Sequence, residues 1–243
     1  MGRRLVLRHL VLGLVAFALW AVFWLTRLDW TPEMRFWRAV GDASFMLLIF
    51  ALAIGPLARL WSVAGRLLSW RREAGIWFGL LALAHTLLIL NGWLRWDLPR
   101  FFGYEFIPEL GRSARIEPGF GLANLAGLVA LLWALVLTAA SSDRAIRALG
   151  SAAWKWLQYG AYSIFYLVAL HTFYFLFMHY TLSFHRPVPP NQNWFQAPFL
   201  VLVLAVPVLQ IGAFVKTVRR KRTGEGASVP KVPKGRRREE RRT

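Results

Sequence analysis

Residues 154–179 read WKWLQYGAYSIFYLVALHTFYFLFMH. From Leu157 to Met178 there is no Asp, Glu, Lys or Arg. At ~1.5 Å rise per residue, a helix of this length crosses a hydrocarbon core of ~30 Å. A soluble helix needs no such run. His171 lies deep within it. A second histidine, His85, lies deep within another apolar run, LLALAHTLLIL at 80–90.

The rest of the chain has the same character. Of 243 residues, 57% are hydrophobic, and the mean hydropathy is +0.43. That balance excludes an ordinary soluble domain and predicts an all-α, polytopic membrane helix bundle. The 13 Trp and 18 Phe suit headgroup-level anchoring and gap filling between helices. With no cysteine, disulfides, thiolate metal sites, iron–sulfur clusters and covalent haem attachment are excluded. No dinucleotide fingerprint, P-loop or HExxH motif is present.

Six runs are long enough to span, near 5–26, 43–61, 74–94, 119–140, 157–179 and 196–215. Arg3 and Arg4 precede the first as in a signal peptide. Its apolar stretch is too long, and no small-residue cleavage site follows, so it reads as an anchor. With the N-terminus inside, 22 of the 30 Lys and Arg fall on the inner side. The positive-inside rule then places both termini in the cytoplasm. The net charge of +18 therefore reads as topology, with membrane lipid as the partner and no nucleic acid. The order divides as 1–38, first anchor and outer loop; 39–180, helix core; 181–215, outer loop and last span; and 216–243, a basic disordered tail. The outer loops at 95–118 and 181–195 are candidate docking surfaces. No internal repeat is visible.

His85 lies twelve residues past Glu73, ~18 Å along a helix, and His171 thirteen past Gln158, ~20 Å. Both helices enter from the same side, so the imidazoles come to similar depth. Ionisable groups inside a membrane are expensive and usually functional. Imidazoles on facing helices form haem sites in bundle cores. The alternative is that each histidine bonds a neighbouring carbonyl or hydroxyl and does nothing more. His179, ~12 Å beyond His171 and about 80° round an α-helix, is expected at the surface. His9 and His185 read as structural. Arg71 and Arg72 open the third span. They are either ordinary positive flanks or contacts for a haem propionate or FMN phosphate.

Residues 40–180 resemble a known family. GDASFMLLIFALAIGPLARLW (41–61) resembles a second helix ending in a Pro-Leu-Ala-Arg turn. RREAGIWFGLLALAH (71–85) is similar to an Arg-Arg opening followed by a helix with one histidine. SSDRAIRALG (141–150) and WKWLQYGAY (154–162) resemble the next link and helix. The order and spacing are those of the MsrQ/YedZ haem-binding membrane subunits, within the ferric-reductase-like transmembrane group. The chain departs from the pattern at Gln158, where the family has a histidine. The resemblance implies a bacterial inner-membrane protein with haem b, one copy rather than two. His85 and His171 would be its axial iron ligands. Arg71 and Arg72 would contact a propionate or the phosphate of FMN. Electrons would come from the quinone pool or a cytoplasmic flavin reductase. They would pass to MsrP, a periplasmic molybdopterin enzyme that repairs methionine sulfoxide. The chain would then be an electron-transfer subunit and not the catalytic one. Two other readings stay open: a stand-alone ferric-reductase-like haem protein, and a non-redox scaffold that has lost haem.

Overall fold

A computed structural model describes residues 2–115, 117, 119–179 and 193–223. Their order is α1 (Arg3–Leu25), α2 (Pro32–Leu60), α3 (Arg71–Ile89), α4 (Leu98–Phe101), β1 (Tyr104–Ile107), β2 (Arg112–Arg115), α5 (Phe120–Ala139), α6 (Asp143–Phe173) and α7 (Gln196–Arg222). Among the described residues six helical stretches are long and apolar enough to cross a membrane. The chain is a multi-pass, all-α membrane bundle.

The helix α2 is its axis. It packs against α1, α3, α6 and α7, while α3 meets α5 and α5 meets α6. Its start is set locally: Thr31 caps the backbone N–H of Met34, and Pro32 supplies a preset first turn. The helix begins at Pro32, well before the apolar run starts near 43. The expected division at 38/39 therefore falls inside an unbroken helix. Arg35, Arg38 and Asp42 can lie on α2 because they have partners. Arg35 donates to the carbonyl of Trp24, Arg38 stacks on Trp30, and Asp42 pairs with Arg27.

The start of α1, the end of α7 and the α2–α3 link share one end. There Arg8 donates to the carbonyl of Ser69, and the Lys216 ammonium donates to that of Leu60. We call this the terminal end. The opposite, hairpin end carries a feature absent from the sequence expectation. Within 95–118, Tyr104–Ile107 pairs antiparallel with Arg112–Arg115, Glu105 opposite Ala114. Gly111 makes the turn in the left-handed region. The expected 181–195 loop falls mostly outside the described residues, as does His185. The same holds for the tail from 224 onward. Trp194, near that loop's end, donates to Thr26 Oγ1.

The helices α3 and α6 each depart from α geometry near the hairpin end. A π-helical turn, Leu90–Leu94, follows α3, and another, Tyr174–Met178, follows α6. The helix α6 also kinks at Gly150, where φ is 76°. Its first two turns therefore lie apart from the membrane-crossing portion.

Candidate functional site

The helix α3 presents His85 to α2, and α6 presents His171 to α5. His85 Nδ1–H donates to the backbone carbonyl of Trp37 at 2.8 Å. His171 Nδ1–H donates to that of Ala123, also at 2.8 Å. Each acceptor lies within the first two turns of a helix that starts at the hairpin end. The two imidazoles are thus held at matched depth, nearer that end.

Each ring also lies against a glycine one turn beyond its acceptor. A Cβ on Gly41 would sit 2.9 Å from Nδ1 of His85, and one on Gly127 would sit 2.7 Å from Nδ1 of His171. Any side chain there would collide with the imidazole. Trp37, Gly41 and His85 therefore recur as Ala123, Gly127 and His171. The spacing is the same, with 48 residues from carbonyl to histidine in both. This repeat escapes a sequence comparison because one of its three members is a backbone carbonyl, which any residue supplies.

The carbonyl bonds set the tautomer. A ring nitrogen facing a carbonyl must carry the proton, so the neutral ring keeps its lone pair on Nε2. No described residue bonds Nε2 of either ring. Both histidines are half-buried inside the bundle. A carbonyl bond on Nδ1 and an available Nε2 is the arrangement of a metal-ligating imidazole. Gly41 and Gly127 leave the space that the two rings fill. A planar iron chelate ligated from both faces fits this donor set.

The other predicted residues fall elsewhere. Arg71 opens α3 fourteen residues before His85, about 21 Å along the axis. Whether Arg71 or Arg72 would meet a propionate depends on how a group ligated by His85 is oriented. Arg71 is half-buried and has no bond or ion pair among the described residues; it lies beside Gly55. Arg72 pairs with Asp143 at 2.8 Å, tying the starts of α3 and α6 together in an exposed position. The Gln158 Nε2 is buried with no partner among the described residues. It lies thirteen residues before His171, ~20 Å toward the terminal end.

His179 departs from its expected position. The π turn is closed by His179 N–H donating to the Tyr174 carbonyl. A π turn advances roughly 80° per residue against about 100° for an α-helix, so five residues remove roughly 100°. This brings His179 back over the column of His171. Ring centroids run from His171 to Phe175 at 4.9 Å, then from Phe175 to His179 at 5.4 Å. His179 Nδ1 meets Glu117 Oε2 at 2.6 Å. Sequence reasoning also missed Arg38, whose guanidinium lies over the Trp30 and Phe175 rings. Its position directly after Trp37 shows its importance only once Trp37 is known to hold His85.

Neither the models of known protein families nor the curated proteins include a match to this chain.

Proposed function

We propose that this protein is a membrane electron carrier that binds one b-type haem between His85 and His171. The observation supporting the reading is the duplicated cradle: two imidazoles at one depth, each held through Nδ1 and each with Nε2 left for a ligand. Haem held by His85 and His171 would supply a one-electron couple. The protein's own contributions are distinct. Trp37 and Ala123 orient the rings and raise their basicity through the Nδ1 bonds. Gly41 and Gly127 allow close approach. The apolar helices exclude water.

By the positive-inside rule the hairpin end faces the periplasm of a bacterial inner membrane. A carrier close to that face suits a periplasmic acceptor. The family resemblance makes this an MsrP-like molybdopterin reductase of methionine sulfoxide, with the quinone pool or a flavin reductase as donor. Arg71, toward the cytoplasmic end, would suit an FMN phosphate. The hairpin residues Glu105, Glu109, Arg112 and Arg115 are exposed and form the docking surface for the acceptor. Reversing these four charges should slow partner reduction and leave the haem spectrum unchanged. An unaltered transfer rate would remove the hairpin from that role.

The deciding experiment is the visible spectrum of detergent-purified protein, oxidised and dithionite-reduced, with a pyridine haemochrome for stoichiometry. Sharp reduced bands of a bis-imidazole b haem are expected at one haem per chain, and they should be lost in both His85→Ala and His171→Ala. Protein made with ample haem that carries none would eliminate the reading and leave the scaffold.

A further inference from the structure

A haem carries two carboxylates, which need cations, and Arg71 and Arg72 open α3 far along the helix from His85. Two others converge beside the histidines. Arg38 follows Trp37, the residue whose carbonyl holds His85. Its guanidinium carbon is 4.6 Å from the Trp30 ring centroid and 5.9 Å from that of Phe175. Phe175 in turn stacks on His171 at 4.9 Å. Arg38 thus touches the surroundings of both imidazoles.

Arg27 reaches the same indole from α1, 5.1 Å from its centroid. It is 6% exposed. One nitrogen, Nη1, bonds Asp42. Its Nε and Nη2 are buried and have no acceptor among the described residues. A buried guanidinium with two unsatisfied donors is costly unless an anion completes it. The remaining arginine nearby, Arg35, is turned away onto the ring and carbonyl of Trp24.

We infer that Arg38 and Arg27, set about the Trp30 ring, bind the propionate carboxylates of the tetrapyrrole held by His85 and His171. The acidic edge of the pigment then faces the hairpin end. This rests on the haem reading above. It adds an orientation and a pair of binding residues on α1 and α2, in place of those at the start of α3. Planar guanidinium groups suit carboxylates because they donate two parallel bonds.

The test uses the full-length apoprotein titrated with haem and with haem dimethyl ester, following the Soret band. Wild type should prefer the free acid by about tenfold or more, the worth of one charge-assisted hydrogen bond. Arg38→Gln should bring that preference close to one and move the midpoint potential to more negative values, since a positive charge opposing the ferric state is gone. Arg38→Lys should keep part of the preference, and Arg35→Gln all of it. Equal binding of acid and ester by wild type would overturn the inference, as would full preference in Arg38→Gln. Either result with an intact bis-imidazole spectrum would leave the haem reading standing, whereas failure of wild type to bind either pigment would overturn both. Should Arg38→Gln not fold, the wild-type ratio and Arg38→Lys decide.

Discussion

At the scale of single residues, the site depends on two atoms that are missing. Gly41 and Gly127 carry no Cβ, and the imidazoles occupy the space. Gly41→Ala and Gly127→Ala should each push a ring off its carbonyl and cost about 1–3 kcal/mol through overpacking. Both should lower haem occupancy and shift the low-spin electron paramagnetic resonance signal. A wild-type spectrum at full occupancy in either variant would show that the ring does not lean on that glycine. Neither position is distinguishable in the sequence from the chain's other glycines. The histidines were legible because an ionisable group in an apolar run stands out. Their supports were not, since a carbonyl and a hydrogen atom leave no mark on residue identity.

At the scale of elements, the ion pairs differ in weight. Arg27–Asp42 joins α1 to α2 with side chains 4% and 12% exposed. Removing one partner leaves a charge uncompensated, so Arg27→Ala should destabilise the apoprotein by about 3–5 kcal/mol. The double variant Arg27→Met with Asp42→Leu should recover most of that. Thermal unfolding in detergent measures both, and a double variant as weak as the single would contradict the buried-pair account. Arg72–Asp143 is exposed, and Arg72→Ala should cost under about 1 kcal/mol.

At the scale of the whole molecule, the testable quantity is orientation. An impermeant maleimide added to intact cells should label Glu105→Cys on the hairpin and spare Ser62→Cys in the α2–α3 link. The reverse pattern would place the site next to the cytoplasm and remove the case for a periplasmic acceptor. The six spans, their order and the bundle class were readable from the chain, because burial of about 20 apolar residues in lipid outweighs local propensity. The depth of His85 and His171 was readable too, because helical rise converts spacing into height. Other features required the packed molecule. The early start of α2 depends on rings and carbonyls of α1 that stabilise Arg35 and Arg38. The hairpin depends on pairing across a turn, and the π turn after α6 on the hydrogen bond from His179 N–H to the Tyr174 carbonyl. The approach of Arg38 to Trp30 and Phe175 comes from where helices cross. Hydropathy sums over a segment and so survives in one dimension. A cradle is a contact between residues 48 positions apart, and only tertiary packing brings those together.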